Sequence, residues 1–248
     1  MIAEVTKSIV RREFKSYFAS PLGYVFLIIF LFAIGYVTFE PGSGSFFLMR
    51  QADLSSFFRY VPYLFLFLVP AVSMRLLAEE RKSGTIELLL TMPVTEAQVV
   101  FGKFLAAWLF VAVALAGTFP LVLTVIYLGS PDLGVVILGY LGAALLAGAF
   151  LAIGIFFSAI SKNQVVSFIL GVVFCYVLLM AGSPPILGFI STFLPKFLVE
   201  IFESLSIMNH FESMGRGVIV IGDLFFFALM IGGWLYGTIL LITEKKSN

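Results

Sequence analysis

The chain carries few side chains able to do covalent chemistry. His210 is its one histidine, so neither a two-histidine metal site nor a histidine relay can be assembled, and no H-E-x-x-H occurs. Asp223 follows Gly222, but position 220 is Val and no second aspartate lies in an apolar stretch, so an aspartyl dyad has no support. No G-x-S-x-G surrounds a serine, and no G-x-x-x-x-G-K-[ST] is present to cradle the phosphates of a nucleotide. Cys175, the single cysteine, sits in an apolar run and reads as a small buried hydrophobe. No catalytic residue, metal ligand or cofactor bound by this chain is expected. The residues left to do work are those of 79–95, EERKSGTIELLLTMPVT, which put four charges in their first four positions between two runs too apolar to face water.

Within that stretch, Ser83 and Gly84 are placed to cap a short helix whose first turn holds Glu87, favourable at the positive end of the helix dipole. Met92 and Pro93 close it, because the residue before a proline is driven out of the helical region. A second start follows at once, with Thr95 and Gln98 spaced as a capping box for the next helix. Ile86, Leu88, Leu89 and Leu90 give the short helix more apolar surface than an exposed two-turn helix should carry. Either the chain's own helices and the lipid headgroups cover it, or a partner does.

The elements that position this segment are set by composition. Of the 248 residues 61% are apolar and 12% charged, and the mean hydropathy is +1.11, which describes an integral membrane protein of all-α class. A net charge of +1, from 15 Lys and Arg against 14 Asp and Glu, leaves no basic field to gather nucleic acid. A helix crossing the hydrocarbon core needs about 20 apolar residues. Six segments qualify, at residues 22–39, 60–78, 104–128, 133–161, 164–182 and 224–243. With the N-terminus inside, eleven Lys and Arg fall on the cytoplasmic side. The other side holds four, Arg50, Arg59, Lys196 and Arg216. The positive-inside rule then places both termini, and residues 79–98, in the cytoplasm. Among ionisable groups only Arg75 falls within a span, where a carrier driven by protons or ions would keep a relay. The energy for any work must come from outside the chain. A full-length span follows residues 1–20 in place of a signal-peptide core, so the N-terminus is expected to be retained.

Three further segments stand out. In residues 1–20, Ile2, Val5, Ile9, Phe14, Tyr17 and Phe18 recur at near-helical spacing, with Lys7, Arg11, Arg12 and Lys15 on the other face. This is an amphipathic helix, lying along the inner leaflet or anchoring the first span. Residues 186–205 hold an apolar stripe at helical spacing beyond Pro184 and Pro185, while Pro195, Lys196 and Glu200 favour a re-entrant or shallow helical pair over a seventh span. The extracytoplasmic region 184–223 also contains His210, read as a hydrogen-bonded loop residue. In the fourth span Gly139, Ala143 and Ala147, and likewise Ala144, Gly148 and Ala152, fall four apart. The two small-residue grooves predict close helix packing, against this chain or against a second copy.

Residues 79–95 resemble the cytoplasmic coupling segment of ABC-2 type permeases, the membrane subunits of a class of ABC exporters, and lie where that family has it, between spans two and three. The resemblance extends over residues 1–248 as a single transmembrane domain. Within the family the chain is most similar to permeases of gliding-motility-type transporters, through Asn209-His210-Phe211-Glu212 and Gly215-Arg216-Gly217-Val218-Ile219; where those relatives carry an acidic residue next, this chain has Val220. The resemblance implies a non-enzymatic subunit of a bacterial inner membrane, paired with a second copy or a related permease. It also implies a separate cytoplasmic ATPase that holds the ATP and Mg, membrane lipid around the spans, and room for an auxiliary extracytoplasmic subunit. By position, Glu80, Arg81, Gly84, Thr85, Glu87, Leu88 and Pro93 would meet the ATPase. The competing expectation is a scaffold that recruits an ATPase and passes no substrate.

Overall fold

Lipid offers no partner to a backbone N–H or C=O, so each apolar run closes its hydrogen bonds within itself as a helix. The computed structural model describes residues 2–40, 53–84, 95–193 and 195–247, and among them every regular element is helical. In chain order these are α1 (Ile2–Ala19), α2 (Pro21–Phe39), α3 (Ser55–Ser73), α4 (Arg75–Ser83), α5 (Glu96–Ala116) and α6 (Phe119–Leu128). Then come α7 (Leu133–Ile160), α8 (Gln164–Met180), α9 (Pro184–Phe193), α10 (Lys196–Ser204), α11 (Ile207–Gly215) and α12 (Ile221–Ser247). Their starts are written locally. Ser20 accepts from the Leu22 N–H ahead of Pro21, Asp132 from Gly134 and Asn163 from Val165. Thr95 and Gln98 form the expected capping box.

Five of the described helical stretches are long and apolar enough to cross a membrane: Pro21–Phe39, Ser55–Ser83, Glu96–Leu128, Leu133–Ile160 and Ile221–Glu244. A sixth is reached if Gln164–Met180 and Pro184–Phe193, which meet at 83°, are taken as one bent span. The second and third stretches are longer than their apolar runs predict, since polar ends continue the helix, and each is interrupted once. The second breaks at Met74, four residues after Pro70. The third breaks at Gly117 and Thr118, where Pro120 has no N–H to continue the ladder.

The centre of the fold is α7. Of its most apolar stretch 72% is buried, against 22% in α2 and in α12, so α7 is packed on all sides while the other two present broad apolar faces outward. It lies against α3, α4, α5, α8, α11 and α12. Small residues allow this approach. A Cβ built on Gly139 would stand 2.3 Å from the Phe58 ring, one on Gly148 2.9 Å from Ile231, and one on Gly154 1.9 Å from the Ser73 Oγ.

The apolar stripe at 186–205 is not one helix. It divides into α9 and α10 with Pro195 in an extended conformation (φ −63°, ψ 151°) at the N-cap of the second; Leu194 lies outside the described residues. His210 likewise belongs to a helix, α11, and not to a loop, because Ser206 caps that helix through the Asn209 N–H.

Candidate functional site

Two stems enter and leave residues 85–94, and their arrangement defines the site. The entering stem is α4. Its last residues are closed by Gly84, whose φ of 72° is the left-handed conformation that ends helices. Gly84 was expected to open the following helix, but it terminates the preceding one, since only a residue without a Cβ adopts that conformation cheaply. Thr85, Glu87, Leu88 and Pro93 lie outside the described residues, as do Ile86, Leu89 and Leu90. The leaving stem is α5, opened by the Thr95 cap.

The junction of α3 with α4 rests on α7. Ser158, fully buried, donates its hydroxyl to the Met74 carbonyl at 2.8 Å and accepts the N–H groups of Leu77 at 3.0 Å and Ala78 at 2.9 Å. One side chain thus satisfies backbone groups that the break at Met74 takes from the helical ladder. Below it, Gly154 lets the backbone of α7 approach Ser73 and Pro70. Arg81 then donates to the carbonyls of Ala159 and Ile160, the last residues of α7. A cation there meets the negative end of the helix dipole and orphaned carbonyls together.

Lys103 on α5 joins the two stems. Its side chain is 2% exposed, and its Nζ lies 2.8 Å from Glu80 Oε1 on α4 and 3.4 Å from Glu13 Oε1 on α1. Two carboxylates from different helices therefore hold one desolvated ammonium, which charge-assisted hydrogen bonds make tolerable. Glu13 is also bonded to Arg12, on the exposed face, at 3.0 Å. Around this triad α1 is pressed onto the bundle: a Cβ on Gly102 would stand 2.6 Å from Ile9. Tyr17 is 1% exposed, stacks on Phe110 at 4.6 Å and lies under the Arg75 guanidinium at 4.9 Å. Burial raises the Tyr17 phenol above its usual ionisation range, against the pull of Arg75. A cleft of about 430 Å³ opens between α1 and α4 beside these residues.

Of the residues singled out by position, Glu80 and Arg81 are thus engaged within the chain, one with Lys103 and the other with α7. In the two small-residue rows, Gly139, Ala143, Ala147, Gly148 and Ala152 are buried and Ala144 partly so. Their neighbours are Phe58 at Gly139, Ile231 and Trp108 at Gly148, and the Trp108 indole N–H donating to the Ala144 carbonyl at 2.8 Å. Sequence reasoning missed Lys103, Glu13 and Ser158. A lysine seven residues into an otherwise apolar helix was the available signal, but its partners lie 90 and 23 positions away.

At the other end of the bundle, His210 Nδ1 lies 2.7 Å from Asp223 Oδ1 and Nε2 3.1 Å from the Ser204 carbonyl, with the ring stacked on Phe226. Ser213 donates to Asp223 Oδ2. The hydroxyl is bonded to the carboxylate and not to the imidazole, so Ser213 and His210 are not arranged as a nucleophile and its imidazole base; the network ties α11 to α12. Among the described residues no three of His, Cys, Asp or Glu gather as a metal site.

Helices of spanning length around a buried central helix, with a charged elbow at one end, define a multi-pass membrane protein. The chain belongs to the family of ABC-2 transporter proteins, whose profile matches residues 7–241. It is similar to the inner membrane transport permease YhhJ of Escherichia coli K12, 29% identical over 179 residues, which is 69% of this chain and 46% of that protein. The permease of the same name from Shigella flexneri matches to the same extent. The chain therefore spans about half the length of the curated relatives it matches.

Proposed function

We propose that this chain is the membrane-spanning permease subunit of an ABC exporter and does no chemistry itself. In this view a separate cytoplasmic ATPase binds and hydrolyses ATP with Mg, and a second copy or a related permease completes the complex. The observation that supports it most, beyond family membership, is the elbow. The two stems of residues 85–94 are tied to each other through Lys103 and Glu80, the leaving stem to α1 through Glu13, and the entering stem to the central helix through Arg81 and Ser158. A push on the intervening segment is then delivered to α1, α5 and α7 together, as packed helices move as rigid pieces between discrete arrangements.

The ATPase contact is assigned to Gly84, Thr85, Glu87, Leu88 and Pro93, with Glu80 and Arg81 at its root. Six spans cross the membrane, α8 being the fifth, with both termini and the elbow in the cytoplasm. Helix α1 lies along the inner leaflet, its Lys7, Arg11, Arg12 and Lys15 exposed, and α9 with α10 forms the re-entrant element. The exposed apolar face of α2, including Ile28, Ile29 and Phe32, faces lipid or the second subunit. A gliding-motility-type assignment rests on the motifs around His210 and Arg216 alone. Replacing Leu88 and Leu89 with Asp is expected to abolish co-purification of the ATPase while membrane insertion persists. Undiminished ATPase capture by that variant sinks the assignment of the contact.

A further inference from the structure

The end of the bundle remote from the elbow carries a cleft of about 260 Å³ between the start of α3 and the end of α11. Arg59 and Arg216 line it, with Glu212 and Ser55 at the rim and Phe58 and Phe211 as its floor. Arg59, Arg216 and Glu212 are all exposed, and none of the ion pairs among the described residues includes them. Only four Lys and Arg of fifteen lie on this side of the sequence pattern, and two of the four meet at one concavity. Like charges within a Debye length repel, so two guanidinia set on one small cleft have an unbalanced charge that one glutamate does not cancel.

The backbones beneath them are fixed. Phe58 and Phe211 are 3% and 2% exposed. Gly139 on α7 admits the Phe58 ring, and Gly142 lies against Met214 and Phe211. Arg216 caps α11 and is followed by Gly217 at φ 80°, where a Cβ would meet Val135 at 2.7 Å. The contacts of His210 and Ser213 with Asp223 hold α11 to α12. Anchored backbones leave only the two arginine side chains to be ordered on binding.

We infer that this cleft binds a phosphate-bearing anionic group, held between the Arg59 and Arg216 guanidinia, whose planar forks match phosphate oxygens in pairs. At about 260 Å³ it is smaller than a pocket for a drug-sized molecule, so it takes a head group or a small anion and not a whole bulky substrate. The lining of the cleft includes none of the residues assigned to the ATPase contact.

The test uses the purified full chain in neutral detergent, with native mass spectrometry reading binding of phosphatidylglycerol, phosphatidylcholine and inorganic phosphate. Phosphatidylglycerol is expected to bind in preference to phosphatidylcholine, and Arg59→Gln or Arg216→Gln to weaken it about tenfold. Binding of inorganic phosphate with the same dependence on both arginines, and no such dependence for the lipid, identifies a soluble phosphate as the occupant. Should either arginine variant not fold, Glu212→Gln removes the one carboxylate of the lining and is expected to tighten binding several-fold. The inference is overturned if neither anion depends on Arg59 and Arg216, or if Glu212→Gln leaves a measured affinity unchanged.

Discussion

Replacing Lys103 with Met keeps most of the side-chain volume and removes the buried positive charge that Glu80 and Glu13 share, leaving Glu13 only its exposed partner Arg12. The ammonium is 2% exposed while its partners are 20% and 14% exposed, so the lysine is fully desolvated and the carboxylates are not. Breaking a buried pair from one side costs about 3–5 kcal/mol, because the remaining charge is uncompensated. Since both carboxylates retain some access to water, the lower end applies, about 3 kcal/mol. For a chain of this length each kcal/mol moves the midpoint by about 2–4 °C, which gives a fall of about 6–12 °C. Fluorescence-detected size-exclusion after graded heating in one detergent reads this directly. The triple variant Lys103→Met, Glu80→Gln, Glu13→Gln removes the stranded charges and is expected to recover most of the loss. A single variant within about 2 °C of the parent refutes the ionic account of the elbow. So does a triple variant no better than the single one.

Gly154→Ala is expected to destabilise by about 1–3 kcal/mol, since its Cβ would stand 1.9 Å from the Ser73 Oγ. Ser73→Gly is expected to rescue it and Ser73→Ala only in part, because the Ser73 Cβ itself lies 2.9 Å from the added atom; the same heating assay decides. Tyr17 is held neutral by burial, so its contribution to stability is complete below the ordinary tyrosine value of about 10 and is lost as pH rises beyond it. Between about pH 9.5 and 11.5 the midpoint of the parent should therefore fall more steeply than that of Tyr17→Phe, and parallel curves refute the assignment. A reporter fused after residue 248 is expected to be active in the cytoplasm, and an external reading would overturn the six-span topology.

Much of the helical inventory was legible along the chain because in lipid the requirement is local. A run of apolar residues has to satisfy its own backbone, and composition alone says where. The cap at Thr95 was legible for the same reason, and those the structure adds at Asn163 and Asp132 are as local, each involving groups within a few positions. Gly84 shows the limit, since a glycine beside a serine suits the end of one helix as well as the start of another. Pro195 was the clearer signal: the apolar spacing of 186–205 continues across it, but the missing N–H breaks the ladder, and two helices result.

The sequence by itself determined that this is an α-helical membrane chain with a charged, apolar-rich segment between its second and third spans, since both follow from residue type and from separations shorter than one helix. Tertiary structure alone decided what the charges beside that segment touch. Glu80, Glu13 and Lys103 are far apart in the chain, and an exposed lysine and a buried one are written with the same letter. Only the crossing of α1, α4 and α5 removes water from the ammonium and makes its two carboxylates indispensable. The two small-residue rows of α7 are alike in this respect. Spacing announces that something comes close, while the folded bundle names Phe58, Trp108 and Ile231, because close approach depends on which helices the loops bring alongside.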